Sequence, residues 1–405
     1  MKWESANIGE CADLISGPAF KSAHFTDHPD DIPLVKGENV QQSFVDWSIA
    51  KRWPRSDAAA YERFLLAPDD IVVAMDRPWV PAGLKWASIS DADPQALLVQ
   101  RIARLRATPS VCPKFLKYVI ASPDFSDYVR NVMGGTNVPH ISGDQIRKFT
   151  FPLPPISDQR SIGSTLAAYD DLIQNNRRRI ALLEQSARLL YREWFVHLRF
   201  PGHEHVKVVD GVPEGWRRGS FDDVADVLSG GTPKTGVPEF WKGDIPFFTP
   251  KDARDVPYAL ETEKYLTEAG LSKCNSQLFP KDTVFITARG TVGKVALAQV
   301  PMAMNQSCYA LRGKGHISQL FLYCALIEAI GHFKSQSGGA VFNAIVVDTF
   351  KRIPCLLPPE ELVVEFTELA SPIFQQIDRL LLQSQKLRQA RDLLLPRLMR
   401  GEIEV

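Results

Sequence analysis

Two loops in the second half of the chain carry residue types that meet nucleic acid. Ser229-Gly230-Gly231-Thr232-Pro233-Lys234 is a turn rich in small donors, with backbone amides and a lysine able to approach a phosphate. Arg289-Gly290-Thr291-Val292-Gly293-Lys294 is a second, and Asn305-Gln306-Ser307 follows it. The arginine fork suits guanine in the major groove, and Asn or Gln suits adenine. Lysine and loop amides hold phosphates, which fixes register without reading sequence. The DNA-facing set expected here is Thr232, Lys234, Lys251, Arg289, Thr291, Lys294 and Gln306. Ser16-Gly17 with Lys21, Lys36, Arg77, Lys85 and Gln100 are the counterparts in the first half. Each of these residues also has a plain structural reading, with glycine shaping a turn and charge lying solvated.

Little else in the sequence points to reactive chemistry. Gly290-Thr291-Val292-Gly293-Lys294-Val295 has the wrong spacing for a Walker A loop, and valine stands where Ser or Thr binds magnesium. No Asn/Asp-Pro-Pro-Tyr/Phe/Trp motif of an amino-methyltransferase is present, and no Gly-rich dinucleotide fingerprint. Of eight histidines, His24/His28 and His203/His205 fall in polar loops and make poor metal pairs. Asp69, Asp70 and Asp76 resemble a nuclease carboxylate cluster, but their place at the mouth of a strand fits turn residues better. The six cysteines, at 11, 112, 274, 308, 324 and 355, form no CxxC pair and no zinc spacing, so they read as reduced thiols. No catalytic residue and no metal are expected.

An internal repeat fixes the elements that must position the loops. IGECADLISG at 8–17 aligns with FDDVADVLSG at 221–230, and Asp31-Ile32-Pro33 with Asp244-Ile245-Pro246. Pro68-Asp69-Asp70-Ile71-Val72 aligns with Pro280-Lys281-Asp282-Thr283-Val284, and Gln100 and Leu105-Arg106 with Gln306 and Leu311-Arg312. Gly134-Gly135 aligns with Gly338-Gly339. The collinear set marks a tandem duplication. Within each copy, short apolar runs at 72–75 and 283–286 read as buried strands. Helical spacing covers 114–132 and 317–336, each stopped by its glycine pair.

Each copy ends in a long helix that begins after Pro-Pro, at 154–155 and 358–359. In the first, Leu166, Tyr169, Ile173, Asn176, Ile180, Leu183, Ala187, Leu190 and Trp194 recur at spacings of three and four. Ile373, Ile377, Leu380, Ser384, Leu387, Arg391, Leu394 and Leu398 do so in the second, with Ser371-Pro372 resembling a helix start. Two such seams most simply pair with each other. The expected fold is α+β: two similar globular domains joined by a long antiparallel two-helix coiled coil, pseudo-two-fold within one chain. Its parts are a domain at 1–154, a central spacer helix at 155–197, a linker at 198–216, a domain at 217–357 and a second spacer helix at 358–405. Two-fold proteins with paired domains address DNA half-sites about one helical turn apart.

At 405 residues two or three domains are expected. The formal charge is zero, so any DNA-binding surface is a local patch. Met1-Lys2-Trp3-Glu4 lacks the shape of a signal peptide and no run is long enough to cross a bilayer, so a cytoplasmic, membrane-free protein is expected.

With these residues in view, the chain resembles the specificity (S) subunit of type I restriction–modification systems. The strings are PEGW at 213–216, SGGTPK at 229–234, EFW at 239–241, GDIPFFTPKD at 243–252, RGTVGK at 289–294 and QARDLLLPRLMRGEIEV at 389–405. In the first half they are LPPISDQRSI at 153–162 and ALLEQSARLLYREWFV at 181–196. That half departs from the pattern where ISGPAFKS replaces SGGTP and no PEGW precedes it. The resemblance implies two target-recognition domains, each reading half of a split double-stranded DNA site, with the helices as spacer. It implies two methyltransferase (M) subunits docked on the helices, including the faces at Arg177-Arg178-Arg179 and 191–195, which methylate a flipped adenine with S-adenosylmethionine. It also implies restriction (R) subunits that use ATP and magnesium, so that this chain needs no cofactor. The rivals are a methyltransferase or nuclease with an unrecognised site, a coiled-coil scaffold without a DNA role, and a subunit in which only one domain reads sequence.

Overall fold

Asn7 and Glu10 close a capping box around a one-turn helix, Ile8–Cys11. The Asn7 side chain accepts from the Glu10 amide at 3.1 Å, and Glu10 accepts from the Asn7 amide at 3.0 Å. Such a box satisfies two amides that a helix start leaves open. Asp223 plays the same part beside Phe221–Val224, accepting from the Ser220 amide at 2.7 Å. Each turn runs straight into a strand, so the repeated decapeptides fold alike.

The computed structural model describes residues 3–80, 82–133, 139–336 and 344–404. The chain divides into two compact units, Met1–Ile173 with Lys386–Val405, and Gln174–Gln385. The glycine pairs Gly134-Gly135 and Gly338-Gly339 lie outside the described residues.

Unit 1 is built on four strands, β1 (Ala12–Ser16), β2 (Ile71–Ala74), β3 (Trp86–Ser88) and β4 (Ile102–Ala107), in the order β1-β4-β2-β3, all antiparallel. Unit 2 repeats the order with β5 (Ala225–Ser229), β6 (Val284–Thr287), β7 (Val295–Ala298) and β8 (Cys308–Gly313) as β5-β8-β6-β7, and adds Tyr258–Ala259 on the β7 edge. All four residues of β2 and of β6 are buried, because both faces of the sheet are covered. Side chains alternate along a strand. Ile71 and Val73 therefore join the core that holds the helices, while Val72 and Ala74 join a second core with Val35, Val40 and Leu98. Val284 and Ile286 divide from Phe285 in the same way.

The Asp-Ile-Pro repeats fall on strands of a smaller sheet in each unit, at the start of Ile32–Val35 and in the second half of Trp241–Phe248. Ile32–Val35 runs parallel to Leu97–Leu98, with Leu34 opposite Leu97. Trp241–Phe248 runs parallel to Ala303–Met304, with Phe247 opposite Ala303. Each domain is closed by a two-stranded ribbon, Glu4–Asn7 with Thr150–Leu153 and Arg217–Ser220 with Pro354–Leu357. The linker holds a hairpin, Val208–Val209 with Val212–Pro213. Its Asp210-Gly211 turn has φ of 50° and 75°, the left-handed pair that an Asp-Gly turn favours. Phe200 and Trp216, 5.2 Å apart at their centroids, pin the linker into the unit 2 core.

Three local expectations need correction. The helix expected over 114–132 is two, Pro113–Ala121 and Pro123–Val132. Pro123 disfavours a helical Ser122 and has no amide to continue the ladder, so Ser122 becomes the cap of the next helix, 3.2 Å from the Phe125 amide. Ser371-Pro372 is no helix start, since the helix Glu360–Met399 runs through it and Ser371 bonds back to the Thr367 carbonyl at 2.7 Å. Its start lies just after Pro358-Pro359. Finally, the alignment of Pro68 with Pro280 is one residue out of step. Asp69 and Asp282 share the left-handed turn (φ 67° and 66°) and the same amide bond, to Ile89 and Ala298 respectively, so Ile71 matches Val284.

The long helix Ile156–Tyr191 passes into one wider turn, Arg192–Val196. Its seam is buried at Leu166, Ile173, Asn176, Ile180, Ala187 and Trp194, and half-buried at Tyr169, Leu183 and Leu190. On the second helix Ile377, Leu380, Ser384 and Leu398 are buried, and Leu387, Arg391 and Leu394 are half-buried. Within unit 2, Asn176 reaches Ser384 while Tyr191 meets Phe366 at 5.9 Å, so the two helix segments run antiparallel. Within unit 1, Asp170 meets Arg391, and Ile162 and Leu166 share a core with Leu395 and Leu398.

Candidate nucleic-acid interface

Four loops of unit 2 converge at one end of its sheet. The Ala288 amide donates to the Ser307 carbonyl at 2.8 Å, the Asn305 amide to Phe248 at 3.0 Å, and the Gly231 amide to Met304 at 3.1 Å. The Thr291 hydroxyl reaches the Pro250 carbonyl at 3.3 Å, and the Thr232 hydroxyl donates to Gln306 Oε1. A side chain at 230 is sterically impossible without movement: a Cβ on Gly230 would lie 2.3 Å from the Asn305 carbonyl oxygen. Gly17 meets the Leu98 carbonyl at the same 2.3 Å, which explains why the sequence repeats this glycine.

Between these loops lies a cleft of about 330 Å³, lined by Lys251, Glu263, Lys264, Arg289, Asn305 and Ser307 among others. Beneath it the buried Asp252 accepts from the Thr249 amide at 2.8 Å and the Glu263 amide at 2.8 Å, fixing both walls. Lys251 lies 3.4 Å from Glu263, a solvent-exposed pair of the kind that contributes little to stability. Arg289 is exposed. The structure therefore brings Lys251 and Arg289 together, with Thr232, Thr291 and Gln306 tied into the same loop cluster. Lys234 is exposed on its own loop, and half-buried Lys294 is turned to Asp255 at 3.0 Å. Sequence reasoning missed Glu263 and Lys264, which line the cleft at the start of the edge strand Lys264–Leu266 of the small sheet, where Lys264 pairs with Phe247. Only strand pairing puts them there.

In unit 1 the matching hydrogen bonds identify the equivalent positions. Met75 donates to the Arg101 carbonyl at 2.9 Å, as Ala288 does to Ser307, and Lys36 donates to Asn39 Oδ1 at 2.7 Å, as Thr249 does to Asp252. Glu38 thus stands where Lys251 stands, and Asp76 where Arg289 stands. The charges at both positions are reversed. Glu38 is answered by Lys36 at 2.7 Å, whose ammonium also lies over the Phe25 ring. Asp76 is answered by Arg101 at 2.9 Å and by the His140 ring. Arg77 is exposed with φ 44°, in the place of Gly290, and Lys21 and Gln100 are exposed. Lys85 matches Lys294 but is half-buried, with its ammonium on the Gly37 carbonyl at 2.7 Å. That bond braces the loop from behind, and burial pushes the pKa of the Lys85 ammonium down.

Asp69 and Asp70 are turn residues, as their sequence position indicates. Asp70 is fully buried, accepts from the Ala67 amide at 2.8 Å and forms a two-pronged pair with Arg106 at 2.7 Å. Among the described residues no His, Cys, Asp or Glu cluster of metal-binding size occurs, and no helix is long and apolar enough to cross a membrane. One expected docking face needs correction. Arg177, Arg178 and Arg179 are exposed, but Tyr191, Trp194 and Phe195 are buried against Phe321, Phe366 and Trp216, so that part of 191–195 is core.

The chain matches the family described as type I restriction modification DNA specificity domain over residues 1–185 and 213–387. It is 24% identical to the type I restriction enzyme HindI specificity subunit of Haemophilus influenzae, with 99% of both chains covered. It is 25% identical to the MjaIX specificity subunit of Methanocaldococcus jannaschii over 73% of this chain and 70% of that one. Its fold resembles the crystal structure of a type I restriction–modification S subunit from M. genitalium, with a TM-score of 0.57 at 15% identity, covering 98% of this chain and 96% of the other. With its two matched halves, each carrying the same sheet and loop cluster, the chain belongs to the type I restriction modification DNA specificity family.

Proposed function

We propose that this chain reads a split duplex target for a type I restriction–modification complex, each recognition domain addressing one half-site. As a member of the specificity family it selects DNA and leaves the chemistry to other subunits. The observation that carries the reading is the convergence of Lys251, Arg289 and the amide-rich loops at one sheet end of unit 2, with the same scaffold bearing different charges in unit 1. Such a pair suits two dissimilar half-sites. Lys251 and Lys234 serve phosphates, and Arg289 and Gln306 reach base edges.

The two long helices act as a coiled-coil spacer that sets the gap. Their antiparallel contacts inside each unit support this reading. Two methyltransferase subunits dock on the exposed helix faces, Arg177 to Arg179 included, and bring S-adenosylmethionine. Restriction subunits bring ATP and magnesium. Work on cellular DNA keeps the assembly in the cytoplasm. The test is adenine-methylation mapping in a host that lacks such marks, with this chain co-expressed with its methyltransferase partner. Methylation at one split motif is expected, and it is expected to vanish without this chain. A contiguous motif, or methylation that persists without the chain, would overturn the proposal.

A further inference from the structure

We infer that Arg101 is the residue with which the first recognition domain reads a guanine, held in its reading position by Asp76. The inference deepens the function proposed above and rests on it. Arg101 sits where unit 2 has Ser307, at the mouth of the sheet, and its side chain is 69% exposed. Its backbone is left-handed, with φ 66°, a conformation uncommon for a residue with a side chain. Ser307 is not in that conformation. The backbone is nevertheless fixed, since the Met75 amide donates to the Arg101 carbonyl at 2.9 Å. Neighbouring segments are stitched to the same platform by Arg77 to Pro139 at 2.9 Å and Ile141 to Met75 at 2.9 Å.

The side chain is also anchored. Nη1 of Arg101 lies 2.9 Å from Asp76 Oδ2, while Oδ1 of the same carboxylate takes the Nδ1 hydrogen of His140. The pair is exposed on the Arg101 side alone, at 69% against 26% for Asp76, and such a partly solvated pair contributes modestly to stability. What it does is remove rotamer freedom from an arginine before any ligand arrives, which lowers the ordering cost of binding. With Nη1 engaged, the edge formed by Nε and Nη2 presents two parallel N–H groups. Guanine offers the matching pair of acceptors, N7 and O6, in the major groove. Unit 2 supplies positive charge at the two positions, Lys251 and Arg289, where unit 1 has Glu38 and Asp76. Arg101 is therefore the arginine of unit 1 at the position that lines the cleft in unit 2.

The experiment maps adenine methylation by the complex of this chain with its methyltransferase partner, for the wild type and for Arg101→Ala, Arg101→Lys and Asp76→Asn. Thermal melting of each variant is followed in parallel, and Arg101→Asn, which tolerates the left-handed backbone, provides a second neutral substitution. We expect Arg101→Ala and Arg101→Asn to lose discrimination for one G·C pair by roughly 5- to 150-fold. That pair lies in one half-site, and the other half-site stays unchanged. Arg101→Lys should relax the same position, because a point charge cannot make the two-pronged contact. Asp76 is a positioning residue, so Asp76→Asn should relax that same base pair by a smaller factor without lowering the melting temperature. An unchanged motif in Arg101→Ala, a uniform loss at all sequences, or full discrimination in Arg101→Lys would overturn the inference while leaving the split-site reading intact. A wild-type complex that places no split-site mark overturns both.

Discussion

Asn176 donates its side-chain amide to the Ser384 hydroxyl at 3.2 Å, where both residues are buried between the long helices of unit 2. Gln383 Oε1 accepts from the same amide at 3.1 Å, and Ser384 in turn donates to the Leu380 carbonyl at 2.7 Å. Ser384 thus keeps a partner when Asn176 is removed. A polar pair in an otherwise apolar seam specifies alignment at a cost in stability. Asn176→Leu should therefore leave stability within about 1 kcal/mol of the wild type or raise it, and loosen helix register. Thermal melting and cysteine cross-linking between the helices check both halves of that statement. A loss of several kcal/mol would show that the pair holds the helices together.

Asp170 makes a different kind of joint. Its carboxylate accepts from Lys117 at 2.7 Å, Tyr118 at 2.7 Å and Arg391 at 2.6 Å, linking both long helices to the helix Pro113–Ala121 within unit 1. Burial pushes the Asp170 carboxyl up, but Lys117, Arg391 and Tyr118 outweigh it and hold it below the usual carboxylate range. A depressed folded pKa contributes stability above the unfolded value near about 3.9, and that stability is lost as pH falls through the folded value. Asp170→Asn should destabilise the chain by about 2 kcal/mol at neutral pH, less than a fully buried pair because the site is partly exposed. The deficit should shrink in acid. Urea denaturation between pH 3 and pH 7 measures it, and a deficit that stays constant with pH would rule out the charge as its cause.

Lys251 and Arg289 share a cleft but are expected to fail differently. Lys251→Ala should weaken binding about equally for all duplexes and lower the salt dependence by about one counterion. Arg289→Ala should instead cost about 1–3 kcal/mol at one base pair of the second half-site. Binding titrations against a panel of single-substituted duplexes at two salt concentrations separate the two outcomes.

The spacer reading predicts a change in the target's gap. Four residues added to each long helix lengthen it by about 6 Å, close to two base pairs at about 3.4 Å each. The unspecified gap should grow by about two base pairs while both half-sites stay the same. Altered half-sites with an unchanged gap, seen by methylation mapping, would refute the spacer role.

Much of the architecture was legible in the sequence because it repeats. The repeated decapeptides at 8–17 and 221–230, their glycines at 17 and 230 and the seam from Leu166 to Trp194 each answer to a local rule of spacing or close approach. What escaped was set by pairing across distance. Residue-type matching put Pro68 against Pro280, whereas the amide bonds of Asp69 and Asp282 set the true register one residue away. Residue type also picked Lys36 and Arg77 as DNA-facing in the first half, while the backbone places Glu38 and Asp76 where unit 2 has Lys251 and Arg289. Prolines were hard to judge for a related reason. Pro123 breaks its helix, but Pro372 does not, because Ala370 and Phe374 on either side of it are buried in the unit 2 core and hold the helix in place.

The closing ribbons have a consequence for how such a protein changes over time. Entry and exit strands of each domain lie side by side, Glu4 opposite Leu153 and Arg217 opposite Leu357. Everything between those strands is a cassette whose two cut points are neighbours in space, the arrangement that best tolerates replacement or insertion. Recombination at the ribbons would import a whole new address without redrawing the framework that carries it.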